Sequence, residues 1–221
     1  MRKGLTEKIE AIIEKVAVME SIKPYILCGG TALALQIGHR KSEDLDFMMW
    51  RISKTVKPEV DWPAIEKEVK EKVGEIEQFS MLGFDQVEFL VKGVKISFYV
   101  SENASPISTP VNYLGNIRLA DMNAILAMKL EVMLRRTKFR DYYDIYAMLK
   151  EDCDISKGID AALNYSQHKL STKSFVMMLL SDRFMPDEGF GQLEPRYTIT
   201  NYGIRDYVLQ KLKSAKLPGN L

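Results

Sequence analysis

The chain has 221 residues, of which 46% are hydrophobic and 28% charged, values that exclude wholesale disorder and a fibrous protein and leave room for one large domain or two small ones. With 31 basic and 30 acidic residues the formal charge is +1 at pH 7, so no global field draws the chain onto nucleic acid or an anionic membrane. Two cysteines, Cys28 and Cys153, make neither a disulfide framework nor a zinc spacing. The run Phe175 to Leu180 is far short of the roughly 20 apolar residues that span a bilayer, and the first residues are of no signal-peptide type. A soluble protein of a reducing cytoplasm, with no membrane partner, is expected.

From Leu5 to Met19 the apolar residues Leu5, Ile9, Ile12, Ile13 and Val16 recur at helical spacing, which predicts a surface helix ended by Pro24. Tyr25 to Cys28 reads as a short strand, broken by Gly29-Gly30, after which Thr31 is placed to cap a helix through Leu33, Ala34 and Ile37. Gly38 closes that helix, and Asp44 to Trp50 reads as a strand that starts on acidic residues. Pro63 opens a charged helix through Ile65, Val69 and Val73. Strands follow at 75–81, 86–91 and 94–100, with Lys92-Gly93 as a hairpin turn. Ser101 to Asn116, rich in proline, serine and asparagine, reads as a connection and carries the expected boundary. Beyond it the pattern is helical, over 119–136, 140–150, 155–165, 172–180 and 204–213, with a loop at Pro186 to Pro195.

These elements predict an α+β fold. A mixed sheet with flanking helices fills residues 1–105, and a helical domain occupies 106–221 and packs on the site.

Successive side chains of a strand point to opposite faces, so Asp44 and Asp46 share a face, with alpha carbons about 6.5 Å apart. Hard carboxylate oxygens at that spacing suit Mg²⁺ or Mn²⁺, which keep coordination positions open for phosphate oxygens and water. Gly29 and Gly30, before a helix start, let the backbone N–H groups approach a phosphate without a Cβ in the way. Thr31, Arg40 and Ser42 add two hydroxyls and a guanidinium. A lone Gly-Gly is usually a turn and a lone Asp-x-Asp usually a solvated strand edge. Their order within about twenty residues is what gives the pattern its specificity.

The stretch Leu27 to Phe47, with Gly29-Gly30-Thr31 and Asp44-Leu45-Asp46, resembles the opening motifs of the AbiEii-type nucleotidyltransferases, toxins of abortive-infection toxin–antitoxin systems. The resemblance continues through Leu119-Ala120-Asp121, Ala127-Met128-Lys129 and Arg140-Asp141-Tyr142-Tyr143-Asp144, covering about residues 20 to 150. It implies a DNA polymerase β-like, minimal nucleotidyltransferase fold. It further implies a triphosphate held at the glycine turn and a metal at Asp44 and Asp46, which makes that pair catalytic. Lys129 would contact the nucleotide, with Arg140, Asp141 and Asp144 lining or bracing the site. The implied activity is metal-dependent transfer of a nucleoside monophosphate from an NTP to RNA (tRNA among them), protein or a small molecule, with a cognate antitoxin as partner.

One departure bears on turnover. Members of this fold usually carry a third carboxylate on a later strand, and the matching run Val94 to Val100 offers Ser97 there, a poor metal ligand and no general base at neutral pH. Glu88 on the preceding strand is the candidate substitute. Three alternatives stay open: a transferase using Asp44 and Asp46 alone, one with a relocated third carboxylate, or a catalytically reduced nucleotide-binding or antitoxin-partner protein. The basic cluster Arg135, Arg136, Lys138 and Arg140, flanked by Phe139, Tyr142 and Tyr143, is read more readily as a solvated helix end than as an RNA contact. His39 is read as a helix-end contact and His168 is given no role. Met177-Met178 and Tyr142, Tyr143 and Tyr146 are read as core packing.

Overall fold

The computed structural model describes every residue except 1, 52, 54, 57, 58, 102–105, 167–169, 182 and 218–221, so His168 lies outside the described residues. The chain divides into two compact units, Met1–Asp121 and Met122–Leu221. Among the described residues no helix is long and apolar enough to cross a membrane.

The first unit is built on a seven-stranded mixed sheet. Its strands are β1 (Ile26–Cys28), β2 (Asp44–Trp50), β3 (Ile76–Gly83), β4 (Gln86–Val91), β5 (Val94–Ser101), β6 (Val111–Leu114) and β7 (Ile117–Leu119), in the order β3-β4-β5-β2-β1-β7-β6. β2 runs parallel to β5 and antiparallel to β1, while β1 runs parallel to β7. Alternation along the central strands sorts the residues by face. Leu45 and Phe47, Ile96 and Phe98, and Val87 and Phe89 are buried, and the rings of Phe47 and Phe98 stack with centroids 5.2 Å apart. Asp44, Asp46, Lys95, Ser97 and Glu88 take the other face.

The helices of this unit are α1 (Glu7–Glu10), α2 (Ile13–Ala17), α3 (Gly29–Ile37) and α4 (Trp62–Glu68), the last running into a π-helical turn at Val69–Val73. The single helix expected over 5–19 is therefore two short ones, interrupted at Ala11 and Ile12. Leu5, Ile9, Ile12, Ile13 and Val16 are nonetheless all buried, which is what their spacing encodes. The stretch expected to be a plain connection holds the β6–β7 hairpin. Its turn residue Gly115 has a φ of +52°, and Asn116 donates from its side chain to the Met19 carbonyl at 2.8 Å. That hairpin completes the sheet, so the first unit extends to Asp121, past the boundary expected near residue 105.

The second unit is helical: α5 (Met122–Val132), α6 (Phe139–Lys150), α7 (Ile155–Tyr165), α8 (Thr172–Leu179) and α9 (Asn201–Ser214), with a 3-10 turn at Phe190–Leu193 inside the expected loop. Asp154, Ser171 and Thr200 cap α7, α8 and α9 by accepting backbone N–H groups of the first turn. α5 and α7 meet at Gly158, where a Cβ would stand 2.4 Å from Leu126 Cδ2. Tyr142, Tyr143 and Tyr146 are buried in an aromatic core with Phe184, Phe190, Tyr197 and Tyr207, and burial pushes the Tyr142 hydroxyl up to about 12.

Candidate functional site

β1 delivers the chain to the glycine turn, and α3 leaves it. Cys28, extended at the N-cap position, makes no side-chain cap hydrogen bond, and Gly29 follows with a φ of +68°. Helix α3 starts at Gly29 itself, so Thr31 lies inside its first turn and does not cap it as expected. The buried Thr31 hydroxyl bonds to Ser42 Oγ at 2.8 Å and donates to the Asp44 carbonyl. It thereby staples the start of α3 to the start of β2 and sets the first aspartate against the glycine turn.

The same tightness holds at both glycines. A Cβ at Gly29 would stand 3.2 Å from Asp46 Oδ2, so the second aspartate lies directly over the turn. A Cβ at Gly30 would stand 2.6 Å from Arg40 Nη2 and 3.2 Å from Ser42 Oγ. Arg40 is buried behind the turn and donates from Nη1 to the Lys41 carbonyl at 2.9 Å, while His39 beside it is fully buried. Gly29, Gly30, Thr31, Arg40, Ser42, Asp44 and Asp46 are thus brought together. Arg40, Thr31 and Ser42 form the turn's packed backing, and the aspartates form its more open rim.

The sheet register adds residues that the sequence left apart. Cys28, Asp46, Ser97, Glu88 and Ser80 stand opposite one another in turn across β1, β2, β5, β4 and β3, and Asp44 stands opposite Lys95. Lys95 Nζ lies 3.7 Å from Asp44 Oδ2 and 4.0 Å from Glu88 Oε1, and Ser97 Oγ donates a long bond to Glu88 Oε1 at 3.5 Å. Lys95 is a site residue that sequence reasoning missed. A lysine alternating with apolar residues looks like any solvated strand position, and only the register between three strands gives it its neighbours.

Asp44 and Asp46 offer two hard oxygen donors on one face beside backbone N–H groups, a donor set that fits Mg²⁺ or Mn²⁺. Among the described residues no group of three or more His, Cys, Asp and Glu side chains is placed to hold a metal ion by itself. An ion held by the aspartates would therefore complete its shell with water and phosphate oxygens.

The remaining expected residues belong to the second unit. Lys129 is buried, with Nζ 2.9 Å from Asp141 Oδ1 and 2.7 Å from Asp144 Oδ2, and both carboxylates are fully buried. Arg136 adds Nε at 3.0 Å from Asp141 Oδ2. Arg140 clamps Asp187 with Nε and Nη2, each at 2.7 Å, and with its backbone N–H at 3.1 Å. Burial alone would raise the Asp187 carboxyl, but the Arg140 hydrogen bonds and charge overcome it and hold the group below the ordinary range. Two of the four cations in the cluster at 135–140 therefore serve internal ion pairs.

The model of the family described as nucleotidyl transferase AbiEii toxin, type IV TA system, matches residues 17–197. A curated protein of Aquifex aeolicus, aq_aa25, itself described as uncharacterised, is 24% identical over 197 residues, which are 88% of this chain and 91% of that one. Among solved structures, MenT4, a nucleotidyltransferase toxin of Mycobacterium tuberculosis, superposes with a TM-score of 0.55 at 16% identity, covering 94% of this chain and 85% of its own. JHP933 from Helicobacter pylori superposes with a TM-score of 0.53 at 19% identity, covering 95% and 94%. The sheet and helices described above are those of nucleotidyltransferase folds.

Proposed function

The chain belongs to the AbiEii nucleotidyltransferase toxin family, and from that premise we propose that it is a metal-dependent transferase moving a nucleoside monophosphate from an NTP to an acceptor hydroxyl. The observation that supports the reading is the approach of Asp46 Oδ2 to within 3.2 Å of where a Gly29 Cβ would be, so that a carboxylate able to bind a metal lies beside a glycine turn whose backbone N–H groups would receive a phosphate. Asp44 and Asp46 hold Mg²⁺ or Mn²⁺, which when bound offsets the negative charge of the phosphates and of the leaving pyrophosphate. Gly29 and Gly30 receive phosphate oxygens through the backbone. Thr31, Ser42 and Arg40 fix the turn against β2 so that these donors are preorganised. In the second unit Lys129 serves the nucleotide from its cradle of Asp141 and Asp144, and Arg140, clamped on Asp187, braces the helix that carries both carboxylates. The acceptor is an RNA, such as a tRNA, a protein or a small molecule. A cognate antitoxin is the protein partner, and the cytoplasm is the compartment.

A competing reading rests on Ser97, buried opposite Asp46 where relatives of this fold usually place an acid: a nucleotide-binding or antitoxin-partner protein with reduced catalysis. One experiment separates the two. The full chain is incubated with labelled NTPs, Mg²⁺ or Mn²⁺ and total cellular RNA, beside the Asp44→Ala, Asp46→Ala double variant. Label transfer that disappears in the variant supports the transferase; nucleotide binding without transfer supports the binding protein. Transfer that persists in the double variant removes the aspartates from the chemistry.

A further inference from the structure

Ser97 leaves the site without an acid on β5, yet the neighbouring strand offers one to the same place. Glu88 stands opposite Ser97, and Ser97 opposite Asp46, so the three residues form one lateral row and project from one face. One strand spacing, about 4.8 Å, separates the backbones of Glu88 and Ser97. Glu88 Oε1 lies 3.5 Å from Ser97 Oγ, so the carboxylate ends beside the small serine, toward the space an acidic side chain there would fill.

Lys95 flanks the arrangement from the next row. Its Nζ lies 3.7 Å from Asp44 Oδ2 and 4.0 Å from Glu88 Oε1, so one ammonium spans the first aspartate and the glutamate. Both distances are longer than a direct hydrogen bond and the lysine side chain is 42% exposed, so the contact with Asp44 is weak enough to yield when substrate arrives.

We propose that Glu88 is the base that activates the acceptor hydroxyl, with Ser97 and Lys95 as its positioning residues, an inference that rests on the transferase reading above. The hydroxyl oxygen forms a bond to the α-phosphorus. The bond from that phosphorus to the bridging oxygen of pyrophosphate breaks and its electron pair departs with pyrophosphate. The hydroxyl proton passes to the Glu88 carboxylate.

The test compares the full-length wild type with Glu88→Gln, Lys95→Met and Asp44→Asn in two assays. One follows transfer of label from NTP to the RNA, protein and small molecules of a cell lysate; the other follows binding of Mn²⁺ together with an α,β-methylene NTP analogue, which needs no turnover. Glu88→Gln is expected to lower turnover about 10²- to 10⁴-fold while the analogue's Kd stays within about twofold of wild type. Lys95→Met is expected to lower kcat with KM for the NTP unchanged, and Lys95→Arg, which keeps the charge, to recover part of it. Glu88→Gln that transfers within about threefold of wild type while Asp44→Asn is inactive overturns the role of Glu88 and leaves the transferase reading standing. Glu88→Gln that loses analogue binding together with transfer also overturns it, because the residue then supports binding. A wild type that transfers nothing overturns the transferase reading and the base with it; an Asp44→Asn variant as active as wild type removes Asp44 from the chemistry and overturns the base placed beside it.

Discussion

Gly29 is held at a φ of +68°, and the space where its Cβ would go is bounded by Asp46 Oδ2 at 3.2 Å. The left-handed conformation costs an L residue roughly 1–2 kcal/mol, and here the added methyl would also press on the Asp46 carboxylate. Gly29→Ala should therefore lower stability by about 1–2 kcal/mol in urea unfolding and weaken Mn²⁺-dependent NTP binding by a larger factor than that strain implies. Normal binding with the stability loss alone would show that Asp46 moves aside freely. That this glycine turn and the aspartate pair meet was legible in the sequence because Gly29-Gly30 and Asp44-Leu45-Asp46 lie in one short strand–turn–helix–strand stretch. The destination of the Thr31 hydroxyl was not, since a serine or threonine after two glycines serves equally as cap, phosphate donor or staple. Only the position of Ser42 and the Asp44 carbonyl decides for the staple. Lys95 was hidden for a related reason: its place between Asp44 and Glu88 comes from β4, β5 and β2 pairing in one register, and no local pattern encodes which strand lies beside which, whereas Glu88 was already legible as the acid on the strand before Ser97.

At the scale of elements, amphipathic periodicity located the helices of the second unit to within a few residues, since each buries one apolar face. The β6–β7 hairpin was obscured because its strands are short and its outer strand is largely exposed at Val111, Asn112 and Tyr113, so it lacks the alternation that marks a half-buried strand. The pairing of α5 with α6 shows a further limit. Arg140 and Asp144 stand four apart, as a surface ion pair would, yet Arg140 bonds to Asp187 and Asp144 to Lys129. Because Lys129 and both its carboxylates are buried, removing the ammonium exposes the full desolvation penalty of the acids it serves. Lys129→Met should cost about 3–5 kcal/mol in urea unfolding, and adding Asp144→Asn should recover part of that loss. A Lys129→Met protein as stable as wild type would mean that the cradle does not depend on the lysine, leaving Lys129 a role in nucleotide contact alone.

For the whole molecule, basic and acidic residues nearly cancel, so its response to pH rests on individual carboxylates and not on a global charge. Glu68 in the first unit accepts the backbone N–H of Glu20 at 3.0 Å and of Ser21 at 2.6 Å, and also the Lys72 ammonium, tying α4 to the turn after α2. Burial alone would raise its carboxyl, but these donors overcome it and bring the group from its ordinary 4.5 down to about 2. Asp187 in the second unit is likewise held below its ordinary 3.8 by Arg140. A depressed carboxylate contributes stability in full above its unfolded value and loses it as the pH falls toward the folded one. The Glu68 contribution is therefore complete above about pH 4.5 and fades toward pH 2, and the Asp187 contribution fades below about pH 3.8. Thermal melts of wild type should fall steeply through this acid range. Glu68→Gln should melt lower than wild type at pH 7, with the gap narrowing below pH 4.5 because the wild type then loses what the variant never had. The variant still presents one acceptor oxygen, so the neutral-pH loss should be about 1–2 kcal/mol, the difference between a charge-assisted and an ordinary hydrogen bond. A gap that stays constant from pH 7 to pH 3 would show that Glu68 acts through packing and not through its charge.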